Sequence, residues 1–107
     1  MSNLDFTISC TVTFFSKKNT NPPNLNNGKY SSHIVVKGTK EPIEVNFIDG
    51  EDVIFDQPIR ANALPVNEDL DYSSLQVGTE FFIMEGSLIV GEGLVKEIFQ
   101  HTPYEKK

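Results

Sequence analysis

The sequence predicts a small all-β domain, built as an antiparallel barrel or sandwich. About six short segments alternate between apolar and polar residues, which is the period of a β-strand with one buried face. Turn residues separate these segments, and no amphipathic helix of useful length is found between them. Strands this few and this short can each bury a face only if the sheet curls onto itself, which favours a barrel or sandwich.

The length of the chain fits one domain. A protein of 107 residues can build one hydrophobic core but not two. We expect a single domain over 1–107, with its core in about 6–99 and a polar tail at 100–107.

The sequence also favours a cytoplasmic protein. No apolar run approaches the roughly 20 residues of a membrane-spanning helix, and the segment from Met1 to Asp5 lacks the basic and then apolar pattern of a signal peptide. Cys10 is the only cysteine, so an internal disulfide and a cysteine-based zinc site are excluded. We therefore expect no contact with a membrane, and we interpret Cys10 as a small core residue.

The chain is acidic, with a net charge of −6, and Arg60 is its only arginine. Nucleic-acid binding gains affinity from Lys and Arg placed against phosphates, so the average field opposes it. The charges are unevenly spread, however, and a local positive face remains open beside the interpretation that they all solvate loops. Lysines concentrate in the first part of the chain and acidic residues in the middle: Lys17, Lys18, Lys29, Lys37 and Lys40, then Asp49, Glu51, Asp52, Asp56, Glu68, Asp69 and Asp71.

The first predicted strand extends from Phe6 to Phe14. Apolar residues at every second position alternate with Thr and Ser, which predicts one buried and one solvated face. Residues 19–29 are rich in Pro, Asn and Gly and form a loop, because proline removes backbone donors while asparagine and glycine accept turn conformations. This loop is long for a small domain, so it is either functional or surface filler.

Shorter apolar runs occupy the middle of the chain. Prolines, glycines and acidic residues separate them, as expected for strands joined by turns. The predicted elements, in order, are strands at 30–37 and 43–48, a turn at 49–52, a short strand at 53–55 that is interrupted at 56–58 and resumes at 59–65, and an acidic loop at 67–76 with room for one short helical turn.

The segment from Gly78 to Phe99 predicts a β-hairpin. Two β-rich apolar runs flank Glu85-Gly86-Ser87, a polar connection whose glycine can adopt positive φ without steric cost. Because side chains alternate along a strand, Phe81 and Ile83 share one face. The opposite face carries Glu80, Phe82 and Met84.

Two glycines interrupt the returning strand of this hairpin. Gly91 and Gly93 are two residues apart, and a strand has glycine where it forms a bulge, bends sharply or lets another backbone approach closely. We therefore expect the hairpin to close a barrel rather than to form a free edge.

The same hairpin contains a gapped motif, formed by Gly78, Phe81, Ile83, Glu85, Gly86, Val90, Gly91 and Gly93. The motif resembles the last hairpin of the C-terminal domain of elongation factor Tu. That family's pattern is glycine, two variable residues, phenylalanine, any residue, isoleucine, any residue, glutamate and glycine, and later valine, glycine, any residue and glycine. The resemblance extends over about 6–99, and between 28 and 65 it depends on strand order and alternation more than on identities.

The resemblance implies a six-stranded, closed, antiparallel β-barrel. In that family the Glu-Gly pair of the last hairpin contacts aminoacyl-tRNA at its T stem, which implies Glu85 and Gly86 as RNA-binding candidates here. The alternative is that Gly86 serves turn geometry and Glu85 serves solubility. The lysines of the first loop complete the candidate RNA-binding set: Lys17, Lys18 and Lys29.

The chain departs from the family at positions that matter for RNA. The family's Gly-Tyr-Arg-Pro-Gln-Phe segment corresponds to 28–33 here, where the glycine persists and the arginine and glutamine do not. Outward arginines beside the final hairpin strand are replaced by Glu80 and Met84. These changes reverse or remove charge, so nucleic-acid binding is disfavoured.

The sequence offers little that points to catalysis. No glycine-rich phosphate loop ends in Gly-Lys-Ser or Gly-Lys-Thr, so we expect no nucleotide to bind. Ser31 or Ser32 could form a triad with His33 and an aspartate, but no nucleophile-elbow pattern supports it. Residues 49–52 cluster oxygen ligands without the spacing of a calcium loop. We expect a protein that is not an enzyme and has no cofactor or metal.

Binding is the function that remains. If Phe81 and Ile83 fill the barrel, Phe82 and Met84 stand outside as a contact patch for another protein, for a second copy, or for a domain supplied in trans. The first loop or the tail could instead cover them, or the two faces could be reversed. We expect a protein-interaction module, with an inhibitor or immunity-type role suggested only by size and charge; the alternative is a weak RNA-binding module. The protein-binding candidates are Glu80, Phe82 and Met84.

Overall fold

Six antiparallel β-strands close into a barrel in the computed structural model, which describes residues 6–16, 22–67 and 69–100. The strands are β1 (Phe6–Phe14), β2 (Tyr30–Val36), β3 (Ile43–Gly50), β4 (Ile59–Pro65), β5 (Glu80–Glu85) and β6 (Leu88–Gln100). Around the barrel their order is β1-β4-β3-β2-β5-β6, and β6 pairs with β1 to complete it. The predicted all-β class and the predicted closed barrel are confirmed.

The predicted hairpin is formed by β5 and β6, which Gly86 and Ser87 connect. Gly86 has a φ of 62°, a left-handed value that glycine adopts without steric cost. On their other sides, β5 pairs with β2 and β6 pairs with β1. Neither strand is an edge, so the hairpin closes the barrel as predicted.

Alternate residues of the strands point into the barrel. Phe81 and Ile83 are 1% and 0% exposed, so they fill the barrel, while Phe82 and Met84 on the opposite face are only half-buried. Cys10 is buried in the core, as predicted. The other fully buried large side chains are Phe14, Phe47, Ile8, Leu25, Ile34, Val12, Val45, Val90 and Val95.

The glycines of β6 let neighbouring atoms approach closely. A Cβ atom on Gly93 would lie 2.4 Å from Cζ of Phe81, and one on Gly91 would lie 2.6 Å from the carbonyl oxygen of Thr13. Real Cβ atoms do not tolerate either distance, so both positions require glycine or a local rearrangement. Close approach is therefore confirmed, and the pairing of β5 with β6 also shifts register close to Gly91.

Two loop residues close the ends of the barrel. Leu25, from the β1–β2 loop, is buried and packs against Gly50 at one end. Tyr72, from the β4–β5 loop, is buried at the other end, where its ring meets Phe6 edge-on with centroids 6.2 Å apart. The Tyr72 hydroxyl donates a hydrogen bond to the carbonyl oxygen of Glu44 at 2.5 Å. These ends are called the Leu25 end and the Tyr72 end below.

The short strand predicted at 53–55 is wrong. These residues lie in the loop between β3 and β4, where Asp56 has a φ of 67° and its amide donates to the carbonyl oxygen of Phe14 at 2.7 Å. The Gln57 amide donates to the carbonyl oxygen of Ile54 at 3.1 Å, which closes a turn over residues 54–57 in place of a strand. β3 is also longer than predicted, because it ends at Gly50 and the turn begins only at Glu51.

The β4–β5 loop has turns, rather than a helical turn, in its described residues 66–67 and 69–79. Side chains of Asn67 and Asp71 accept hydrogen bonds from the amides two residues later, at 2.9 Å each. Such local side-chain bonds stabilise turns in place of helix. Gln100, predicted in the tail, is the last residue of β6, and the remainder of the predicted tail lies outside the described residues.

Candidate protein-interaction surface

The outer side of β2, β5 and β6 carries the apolar residues that the sequence predicts to bind a protein. Phe82, in the middle of β5, is the cross-strand partner of Val35 in β2. Met84 is the cross-strand partner of Ile89 in β6. Directly opposed residues contact each other across a sheet, so these four side chains form one surface. Val35, Phe82 and Met84 are half-buried and Ile89 is 37% exposed; we call the four the outer patch.

A charged cluster lies over one part of the outer patch. The Lys37 ammonium is 4.9 Å from the centroid of the Phe82 ring, within the range of a cation–π contact. It also lies 3.1 Å from Oε1 of Glu80 and 3.3 Å from Oε1 of Glu92. The hydrogen bonds to Glu80 and then to Glu92 raise the pKa of Lys37, so its ammonium stays charged. We call Lys37, Glu80 and Glu92 the Lys37 cluster.

An open groove of about 290 Å³ lies beside the Lys37 cluster. Leu94, the cross-strand partner of Glu80, provides its apolar part, and threonines of β1 form the opposite wall. Charged groups of both signs face the groove, so a partner seated there would meet apolar surface and ion pairs together. The lining residues are Thr11, Thr13, Lys37, Glu80, Glu92, Gly93, Leu94 and Lys96.

The three predicted protein-binding residues lie together on the outer side of β5: Glu80, Phe82 and Met84. The possibility that the two faces are reversed is excluded, because Phe81 and Ile83 are the buried pair. The described part of the first loop packs at the Leu25 end, where the side chain of Asn26 donates to the carbonyl oxygen of Gly50 at 2.7 Å. Coverage by the tail concerns residues outside the described ranges.

Sequence reasoning missed the neighbours that complete this surface. Alternation within β2 already places Val35 opposite to the buried Ile34, and Ile89 follows the hairpin turn directly. What the alternation does not give is the pairing of β2 with β5, which brings Val35 and Lys37 beside Phe82. That pairing follows from closure of the barrel.

Glu85 and Gly86, the candidate RNA-binding pair, are exposed at the β5–β6 turn. The hydroxyl of Tyr30 donates a hydrogen bond to Oε2 of Glu85 at 2.7 Å. Burial of Tyr30, and next its hydrogen bond to Glu85, raise the pKa of this hydroxyl, so it remains a donor at neutral pH. Glu85 therefore connects the turn to β2 as well as facing solvent.

The candidate lysines are only partly within the described residues. Lys29 is exposed directly before β2, whereas Lys17 and Lys18 lie outside the described residues. The Leu25 end, near Lys29, also has a second groove of about 390 Å³ whose only cation is Arg60, 3.8 Å from Oε2 of Glu51. Acidic surface at this end opposes a phosphate backbone. The residues that line this groove are Ser9, Asn26, Asp49, Gly50, Glu51, Arg60, Ala61 and Asn62.

Ser32 and His33 point to opposite sides of the sheet. The Ser32 hydroxyl is buried and donates to the carbonyl oxygen of Met84 at 2.7 Å, while the His33 ring is exposed. Ser31 shares the outer side with His33, and its hydroxyl donates to Oδ1 of Asn46 at 2.9 Å. The Ser32 hydroxyl also lies 3.4 Å from the carbonyl oxygen of His33, so both hydroxyls bond within the sheet, and no described contact joins either of them to the His33 ring.

Within residues 6–16, 22–67 and 69–100, no group of three or more His, Cys, Asp or Glu side chains is arranged to hold a metal ion. The same described residues include no helix with the length and apolar character needed to cross a membrane.

Comparison of the chain with protein-family models, with curated proteins and with solved structures found no match. The resemblance to elongation factor Tu therefore stays a prediction that depends on the hairpin motif and on strand order.

Proposed function

We propose that this protein is a non-catalytic binding module, a barrel resembling the C-terminal domain of elongation factor Tu, whose outer patch contacts another protein. The main support is the arrangement around Phe82. An aromatic ring, a methionine and two aliphatic side chains occupy adjacent positions on the outside of a closed sheet. Protein interfaces are enriched in aromatic residues and methionine at their centres.

The closed sheet also supports recognition through side chains. Each strand is hydrogen-bonded on both sides, so a partner cannot attach by adding a strand to an edge. Contact must therefore use side chains, and the outer patch is the apolar surface among the candidates named from the sequence. The single cysteine, a buried free thiol, fits a reducing compartment, and we propose a cytoplasmic setting on that ground.

The test is capture of partners by immobilised protein from a lysate of its source cells, with Phe82→Asp compared to the native chain. A buried carboxylate at the centre of an interface is strongly unfavourable, so we expect capture to fall by roughly tenfold or more. Val66→Asp is the matched control. Val66 is 43% exposed and follows β4, on the opposite side of the barrel from β5, so capture should be unchanged.

The alternative is a weak RNA-binding module that uses Glu85, Gly86 and the lysines Lys17, Lys18 and Lys29. The acidic surface at the Leu25 end disfavours this alternative, because it repels the phosphate backbone of RNA. Partners that Phe82→Asp captures as well as the native chain does, together with a shift of labelled tRNA that weakens steeply as salt rises, would contradict the proposal and favour the alternative.

A further inference from the structure

We infer that the outer patch, the Lys37 cluster and the groove beside them, which together extend over β2, β5, β6 and β1, form a two-fold interface with a second copy of this chain. This inference rests on the proposed function, because it assigns an occupant to the same surface. It starts from the charges that face this surface. The charged residues that line this groove are Lys37, Lys96, Glu80 and Glu92, two of each sign, so their formal charges cancel although the whole chain has −6.

A balanced surface complements itself. In a two-fold interface both copies use the same surface, so if one residue of the first copy contacts a second residue of the other copy, the reverse contact forms as well. With the axis close to Phe82, the Lys37 ammonium of each copy faces the Glu80 and Glu92 carboxylates of the other. A surface with charges of one sign would repel a second copy, whereas a surface with both signs can form ion pairs with a second copy.

The remaining charge of the chain does not prevent the contact. At physiological ionic strength, exposed charges more than about 8 Å apart are largely screened. The carboxylates of the groove at the Leu25 end come from Asp49 in β3 and from Glu51 directly after β3, outside the strands of the proposed interface. Charges next to the interface therefore dominate its electrostatics.

The Lys37 cluster can exchange its partners at small cost. Its members are surface groups, with side chains 36%, 59% and 44% exposed for Lys37, Glu80 and Glu92. Exposed ion pairs contribute little net free energy, so pairs within one copy can be replaced by pairs between copies. The apolar residues below the cluster then supply the attraction.

The size of the surface sets the expected affinity. Four neighbouring strands about 4.8 Å apart, over about six residues each, give a face of about 300 Å² in projection. Standard interfaces bury about 800 Å² on each partner. We therefore expect a weak dimer, with a dissociation constant between about 10 µM and 1 mM.

Sedimentation velocity of the full chain over a range of concentrations tests the inference. We expect a reversible monomer–dimer equilibrium, weakened roughly tenfold or more in Phe82→Asp and in Lys37→Glu. Glu92→Lys should weaken it as well, because two like charges then face each other. Circular dichroism and thermal unfolding of each variant confirm that the barrel is intact.

Mixing the charge variants gives the decisive measurement. In a mixture of Lys37→Glu with Glu92→Lys, opposite charges face each other again at both equivalent positions, so a heterodimer should form. The control mixture replaces Lys37→Glu by Lys40→Glu, which has the same net charge but changes an exposed lysine of the β2–β3 connection. Restored dimer in the first mixture and not in the second would support the inference, since repair of folding within one copy cannot depend on the other.

A chain that remains monomeric up to about 1 mM, or a dimer that none of the three variants weakens, overturns the inference. The proposed function is judged separately. If the monomeric chain captures a different protein in a Phe82-dependent way, the proposed function stands and only the second copy is wrong. If the chain forms the dimer but captures no other protein, the inference of a second copy stands and the proposed binding of a different protein is wrong.

Discussion

The ring of Phe81, on the neighbouring strand, leaves no room for a side chain at residue 93, so this position requires glycine. Phe81 is 1% exposed, and its ring atoms Cζ and Cε1 lie 2.4 and 2.6 Å from the place where a Cβ of residue 93 would stand. Because the core around a buried ring is closely packed, any movement of the ring disturbs other core side chains. One methyl group at Gly93 must therefore displace Phe81 or the strand.

We expect Gly93→Ala to lower the free energy of unfolding by about 1–3 kcal/mol, the usual cost of overpacking a core. The smaller entropy of an alanine-containing unfolded chain offsets only about 0.4–1 kcal/mol of strain. Urea unfolding of the two proteins measures the difference.

The control for Gly93 is the same substitution in a Phe81→Leu background. Leucine lacks the two ring atoms that meet the new methyl group, so Gly93→Ala should cost at least about 1 kcal/mol less there. Equal costs in both backgrounds would show that Phe81 is not the reason for the glycine.

At the scale of elements, the β4–β5 loop closes the Tyr72 end through one hydroxyl. The Tyr72 hydroxyl donates to the Glu44 carbonyl oxygen and accepts from the amides of Val66 and Asn67 at 3.2 Å each. One oxygen therefore connects the end of β4 to β3. Its loss leaves three backbone groups without that partner at a position that is 7% exposed.

We expect Tyr72→Phe to lower the free energy of unfolding by about 1–3 kcal/mol, the cost of leaving part-buried polar groups unsatisfied. Thermal or urea unfolding measures it. Tyr30→Phe is the matched control, because the partner of Tyr30 is the exposed carboxylate of Glu85, which water can solvate. A loss in Tyr30→Phe as large as that in Tyr72→Phe would contradict this account.

At the scale of the whole molecule, burial makes the barrel sensitive to alkali. Burial raises the pKa of the Cys10 thiol from 9.0 to about 12. Between these values the unfolded chain has released the thiol proton while the folded chain retains it. The unfolded state then binds fewer protons, so stability is fully present below about pH 9 and falls as pH rises.

We expect the free energy of unfolding to fall above about pH 9, with at most about 1.4 kcal/mol per pH unit coming from the thiol. Urea titrations between about pH 8 and 10 measure this slope before Tyr30 and the lysines ionise in the unfolded chain. Cys10→Ala is the control and should flatten the slope. An unchanged slope in that variant would assign the effect to another group.

Local patterns in the sequence are enough to locate the strands and to assign their two faces. Alternation is a local property, because neighbouring side chains of a strand point to opposite sides whatever the strand pairs with. For this reason Phe81 and Ile83 inside, Phe82 and Met84 outside, and the turn at Gly86 were all predictable. The strand predicted at 53–55 was wrong because three consecutive apolar residues do not by themselves specify a strand, and a hydrogen bond from the Gln57 amide to the Ile54 carbonyl oxygen forms a turn there.

Which strands are neighbours, and therefore which side chains surround Phe82, depends on how the barrel closes. Lys37 and Glu92 are 55 residues apart in the chain, and Lys37 and Glu80 are 43 apart. Contacts over such separations depend on the order in which the strands close, and no local pattern contains that order. The Leu25 closure and the Lys37 cluster follow from the closed barrel for the same reason: each joins segments that have no local relation in the sequence.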